Sequence, residues 1–148
     1  MTTNDMETRR CGVLIHPTSF SSPFGIGDFG KEARDTLMML AKAKVSLWQI
    51  LPLGPTGYGD SPYAARSTFA GNELLIDLRS LDQMFSLGKT YLDPENRTTG
   101  RVDYNSVYAY KMPLLKETAQ LFIDGKSSKD SYKAFCTENA WWLEDYAL

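Results

Sequence analysis

The 148-residue sequence holds one histidine, His16, and two cysteines, Cys11 and Cys136. One imidazole gives no metal-ligand cluster at sensible spacing with those thiols. Ser19 and Ser61 lack companion motifs for a nucleophilic serine relay. The cysteines lie far apart beside apolar neighbours, which reads as reduced, partly buried thiols and not a disulfide, in a cytoplasmic setting. No apolar run reaches the roughly 18 residues of a membrane span. The opening MTTNDMETRR lacks the apolar core of a signal peptide, so 1–9 reads as a short polar leader. Charge of one sign is also missing: 16 basic residues, scattered and not striped, face 18 acidic ones for a net −2, which gives no electrostatic reason for nucleic acid or membrane as partner. Internal repeats and low-complexity tracts are absent. The remainder is an ordinary globular composition, 43% hydrophobic and 23% charged.

Apolar spacing gives the organisation. Residues 12–15, GVLI, form a short continuous apolar run that suits a strand buried on both faces, as in a parallel sheet. From Asp28, a plausible N-cap, Phe29, Ala33, Leu37, Leu40 and Ala41 recur at helical spacing to near Lys44. Residues 45–51 read as a second buried strand, so strand, helix, strand make one βα unit and the start of the next. The run LLIDL at 74–78 reads as a third strand by its length. Beyond Arg79 the character changes: a loop at 88–100 precedes a helix over 105–124, with Gly125 as its stop and Pro113 placed to kink or split it. After the turn signals of LFIDGKSSKDS, Tyr132, Phe135, Cys136, Ala140, Leu143 and Ala147 repeat at helical spacing. The expectation is an α/β segment over 10–87 followed by a helical subdomain over 88–148.

One motif is a decoy. Gly25-Ile26-Gly27-Asp28-Phe29-Gly30 is a literal G-x-G-x-x-G, the sequence form of a dinucleotide fingerprint. In that fingerprint the first glycine follows its strand almost directly, and an acid binds ribose about 20 residues on. Here HPTSFSSPF intervenes, and Ile50 and its neighbours occupy the acid's position. The glycines read better as turns leading into a helix N-terminus. The segment GYGDS likewise lacks the lysine of a P-loop.

The most informative stretch is QILPLGPTGYGDSPY at 49–63. Ile50, Leu51 and Leu53 supply the strand signal, and Pro52, Gly54, Pro55, Gly57, Gly59 and Pro62 fold the chain beyond it into tight turns. Tyr58 and Tyr63 then stand on a loop of fixed geometry, each offering a flat apolar face to a pyranose and an OH to its hydroxyls. Ser61 and Asp60 add a donor/acceptor and an anionic acceptor.

With HPTSFSSPFGIGDFG before it and FAGNELLIDL after it, this loop resembles the opening of the 4-α-glucanotransferases, the amylomaltase or disproportionating-enzyme family. The likeness starts at RCGVLIHPTS, runs through LWQILPLGP, and resumes at Arg101-Val102-Asp103-Tyr104 and WLEDYAL. Ala64 and Ala65 stand where Gln-Ser is usual, and Glu73-Leu74 replace Pro-Tyr; these departures bear on substrate preference, not membership. The resemblance implies a (β/α)8 TIM barrel with inserted subdomains. A closed barrel alone needs about 250 residues, so the chain is expected to be the N-terminal part of one, needing the remainder of the enzyme for closure. It implies retaining transfer of an α-1,4-glucan segment to the 4-hydroxyl of an acceptor, with carboxylates on later strands. It implies no cofactor, α-1,4-glucans and malto-oligosaccharides as partners, and Tyr58, Ser61 and Tyr63 as substrate-binding residues. Asp60 is expected to brace the loop by accepting backbone N–H groups. His16, at the end of the first strand, either faces the active site or is a hydrogen-bonded loop histidine. No residue is assigned a catalytic role. The alternatives are a glucan-binding or partner-binding module and a hydrolase of the α-amylase superfamily.

Overall fold

The computed structural model describes residues 9–85, 100–125 and 129–148. The expected leader and the loop at 88–100 lie almost wholly outside these residues, as do 126–128 of the turn before the last helix. Strand β1 (Gly12–Leu14), helix α1 (Lys31–Lys42) and strand β2 (Leu47–Gln49) form the expected unit. The strands pair in parallel with Gly12 opposite Leu47, Val13 opposite Trp48 and Leu14 opposite Gln49. A side chain at Gly12 would press on Leu47, its Cβ lying 3.1 Å from the Leu47 Cβ. Past the ladder, Ile15 N–H donates to Gln49 O at 3.2 Å. The Trp48 indole then donates to Ile15 O at 2.8 Å, satisfying the carbonyl just before His16.

The sheet is not buried on both faces, contrary to the sequence expectation. Leu14 is 57% exposed and Leu47 47%. Two strands and one crossover helix cannot cover both faces of a parallel sheet, which needs layers on each side. Cys11 is exposed, not partly buried, and both described thiols are free.

The core lies elsewhere. Ile26, Leu74 and Val107 form its centre, with Val102, Tyr104, Tyr108 and Met112 packed against them. It joins the glycine-rich turn, the 73–75 segment and helix α3 (Tyr104–Asp124). That helix starts on Asp103, whose carboxylate accepts the N–H groups of Asn105 and Ser106, and ends at Gly125. Pro113 sits inside it without splitting it. Helix α4 (Asp130–Ala147) follows, with Tyr132 edge-on to Phe122 at 5.5 Å.

Two local expectations change. Residues 74–78 are no strand: Glu73–Leu75 is a 3₁₀ turn and Leu78–Phe85 is helix α2. The Asn72 side chain accepts Leu74 N–H at 2.9 Å. Asp77 accepts from the N–H groups of Arg79 and Ser80. These short polar side chains offer the backbone partners that a strand ladder would otherwise supply. Asp28 is not the cap of α1, whose N-cap is Gly30. It accepts Gly30 N–H at 2.9 Å from a buried position, and Phe29 faces solvent.

Candidate functional site

After β2 the chain leaves the sheet and builds a narrow hairpin. Thr56 and Ala65 form an antiparallel bridge. Gly57 N–H donates to Ala64 O, and Arg66 N–H to Pro55 O, both at 2.8 Å. Asn72 N–H closes the base on Leu53 O at 2.8 Å. Glycine is required where the strands meet: a Cβ on Gly57 would lie 2.6 Å from Ala64 O, and one on Gly54 2.7 Å from Ser67 O. The tip, Tyr58–Asp60, is a 3₁₀ turn with Gly59 at φ +70° and Asp60 at φ +53°. Both lie in the left-handed region, which glycine enters freely and aspartate tolerates.

This tip holds both tyrosines out to solvent, Tyr58 98% and Tyr63 75% exposed. Between them the Ser61 hydroxyl accepts Tyr63 N–H at 3.3 Å, which leaves its proton to donate. Asp60 does not brace the loop as expected. Among the described residues its carboxylate accepts no backbone N–H; its own N–H donates to Gly57 O at 3.2 Å. A residue in the left-handed region completes the turn through its backbone, leaving the side chain to act at a distance. The half-buried Tyr104 phenol is pushed up by burial, against a hydrogen bond with Thr18, and the negative charge of Asp60 adds to the rise.

His16 follows β1, and its carbonyl accepts Ser19 N–H at 2.9 Å to start the Pro17–Ser19 turn. Burial lowers the imidazole below its ordinary range, so the ring is neutral near pH 7. It is not hydrogen-bonded through its inner nitrogen: Nδ1 is buried without a partner among the described residues, as is Thr56 Oγ1. Both residues line a cleft of about 170 Å³ beneath the hairpin, with Thr18, Leu53, Pro62 and Tyr104 among its walls. The fold thus brings His16 against the underside of the loop whose outer face carries Tyr58 and Tyr63.

Sequence reasoning missed a charged cluster behind the loop. Lys111 is fully buried on α3, and its ammonium donates to Leu74 O at 2.6 Å and Ile76 O at 2.7 Å. The Asp28 carboxylate lies 3.7 Å away. Arg79 pairs with Glu32 and with Asp77. The Phe24 ring centroid lies 5.5 Å from the guanidinium and 5.7 Å from the ammonium. Burial lowers Lys111 to about 8, opposed by the charges of Asp28 and Asp77, and raises Asp28 against the pull of Lys111. With three acceptors around it, the ammonium stays charged at neutral pH. The available signal was positional: Lys111 shares a helical stripe with Val107, one turn away, where a lysine is out of place.

Known proteins give a consistent picture. A model of the 4-alpha-glucanotransferase family matches residues 15–148. The chain is 50% identical over 142 residues to a 4-alpha-glucanotransferase of Thermus thermophilus, a match covering 95% of this chain and 28% of the relative. It is 44% identical over 147 residues to one from Synechocystis, covering 97% and 29%. Among solved structures it is similar to the amylomaltase of Streptococcus agalactiae in complex with acarbose, with a TM-score of 0.77 and 34% identity over 90% of this chain and 28% of that one. The chain therefore spans well under a third of the length of these relatives. With the family match running from Ile15 to Leu148 through the whole GYGDSPY hairpin, this chain belongs to the 4-alpha-glucanotransferase family.

Proposed function

We propose that the protein carrying this chain is a 4-α-glucanotransferase that moves α-1,4-glucan segments between malto-oligosaccharides by a retaining mechanism, and that 49–63 forms one wall of its glucan cleft. The observation that carries this reading is the hairpin tip: two tyrosines presented outward on a backbone fixed by its own hydrogen bonds. Aromatic rings held this way bind the C–H faces of sugars with little ordering at the moment of binding. The Ser61 proton is placed beside Tyr63 to meet a sugar hydroxyl.

In this reading β1, α1 and β2 open a (β/α)8 barrel over 10–87, the helices of 88–148 form an attached subdomain, and the protein works in the cytoplasm. Retaining chemistry needs a nucleophilic carboxylate and an acid/base partner about 5 to 5.5 Å apart. Asp28 and Asp77 are committed to Lys111, Gly30 and the start of α2, and in this reading the two roles belong to carboxylates on later strands of the barrel.

In the complete protein, Tyr63→Ala is expected to lower maltotriose disproportionation severely, by tenfold or more on the scale of an aromatic contact of about 1.5 kcal/mol. Tyr58→Ala weakens use of longer oligosaccharides while thermal unfolding stays unchanged. Product chromatography measures both, and wild-type activity in the two variants would sink the reading.

A further inference from the structure

Residues 72–77 touch both legs of the tyrosine hairpin. On the outgoing leg Asn72 N–H donates to Leu53 O at 2.8 Å, and on the return leg the Glu73 carboxylate faces the Arg66 guanidinium at 3.6 Å. This segment is the footing on which the hairpin stands. Its only regular structure before α2 is the three-residue turn Glu73–Leu75, so no strand ladder sets its register. Leu74 and Leu75 are buried, but apolar burial is non-directional and does not choose where a carbonyl points.

The direction comes from outside the segment. Three successive carbonyls are held there: Leu75 O by Phe29 N–H at 3.0 Å, and Leu74 O and Ile76 O by the Lys111 ammonium at 2.6 and 2.7 Å. The Asn72 side chain accepts Leu74 N–H at 2.9 Å, so hydrogen bonds run from Lys111 through Leu74 and Asn72 to Leu53. Phe29 answers to the same ion pair, because Asp28, 3.7 Å from the ammonium, also accepts Gly30 N–H at 2.9 Å on its far side.

We propose that Lys111 is a positioning residue for glucan transfer: from helix α3 it fixes the footing of the hairpin, and through it the place of Tyr58 and Tyr63 in the cleft. This role rests on the glucan reading and deepens it.

Stability alone does not account for a lysine here. Burying an ammonium beside a carboxylate gives little net stabilisation, since desolvating both offsets most of their attraction, and an apolar side chain of similar volume fills such a space as well or better. What the lysine supplies is direction. Its three N–H donors, on a stem that reaches two carbonyls and a carboxylate, hold backbone that has no ladder of its own.

The test reads kcat/KM for maltotriose disproportionation by the complete protein. Lys111→Met with Asp28→Asn removes both charges and leaves a filled, neutral interior, while Leu74 O and Ile76 O lose their donor. Its kcat/KM is expected to fall about threefold to tenfold, the upper figure being the loss of one ring contact. In a Tyr58→Ala, Tyr63→Ala background the same substitutions should change nothing further, because a residue that acts through the rings has nothing left to place. A purely structural role would lower both backgrounds alike. Asn72→Ala, which interrupts the bonds without disturbing a buried charge, should give the same ring-dependent loss. Asn72→Asp, which keeps an acceptor for Leu74 N–H, should restore activity. Wild-type kcat/KM in the folded Lys111→Met, Asp28→Asn protein overturns the proposal, as does an equal loss with and without the rings. Where that protein does not fold, Asn72→Ala decides by the same two outcomes. If the protein without the two rings transfers at the wild-type rate, the hairpin reading fails and the positioning role with it. If that protein is impaired while the Lys111 and Asn72 variants are not, the function stands and only the positioning role falls.

Discussion

At the scale of single residues, the three glycines of the G-x-G-x-x-G sequence each answer to a steric demand that has nothing to do with a nucleotide. Gly25 turns at φ +76°. Gly27 packs so tightly on the Pro17–Ser19 turn that a Cβ would lie 2.1 Å from Pro17 O and 2.7 Å from Phe20 N. A Cβ on Gly30 would meet the carboxylates of Asp28 and Asp77 at 2.7 and 2.8 Å. Gly27→Ala must therefore push backbone aside. It is expected to destabilise by about 2 kcal/mol or more, within the range for overpacking, read as a lower urea midpoint in the complete protein. Gly71→Ala, at a position with no neighbour within 4 Å, serves as the neutral control. Lys111 makes the opposite demand, for charge. Lys111→Ala leaves Asp28 buried beside two unmet carbonyls and should cost about 3–5 kcal/mol, as for half of a buried pair. Replacing both partners, Lys111→Met with Asp28→Asn, should recover much of that loss in the same denaturation.

At the scale of elements, the buried ammonium gives the α3 contact a pH dependence of definite sign. Lys111 titrates at about 8 in the folded chain against an ordinary value of 10.5. Between those limits the unfolded chain binds more protons, so the Lys111 contribution makes stability rise with pH. Below about 8 the burden of burying the charge is fully present. Denaturation midpoints at neutral pH and at about pH 10 should show this slope in the wild type and a smaller one in the Lys111→Met, Asp28→Asn protein. The elements themselves were partly legible. Helices α1, α3 and α4 follow apolar periodicity, and the parallel pairing of β1 with β2 follows from strand, helix, strand order. The LLIDL run was misread because its backbone partners are the side chains of Asn72 and Asp77, flanking or interrupting the very run whose apolarity suggested a strand. The hairpin was legible as a turn-rich loop carrying Tyr58, Ser61 and Tyr63. Its underside was not, because His16 and Thr56 are far apart in the sequence and come to one cleft through long-range contacts such as the β1–β2 pairing and the Leu53–Asn72 bond.

At the scale of the whole molecule, apolar surface is distributed unevenly. Leu14, Leu47 and Ile50 are exposed on and beside the two-stranded sheet, and Trp141 and Phe69 stack edge-on at 4.5 Å on another exposed patch. Unpaired strand edges and apolar patches of this kind favour association. The 148-residue chain in isolation is expected to self-associate at micromolar concentration and to bind a hydrophobic dye; sedimentation velocity showing a clean monomer would refute this. The Trp48 indole bond to Ile15 O has a consequence in time. Helix α1 forms from neighbours a turn apart, but this bond must close a loop of 33 residues before it exists. The strand pair therefore assembles after the helix between its members, and His16, one residue past that bond, is placed only then. In a variant with Trp141 and Trp142 replaced by phenylalanine, the change in Trp48 emission would be a late event in refolding, and its half-time would be the half-time for the strand pair to come into being.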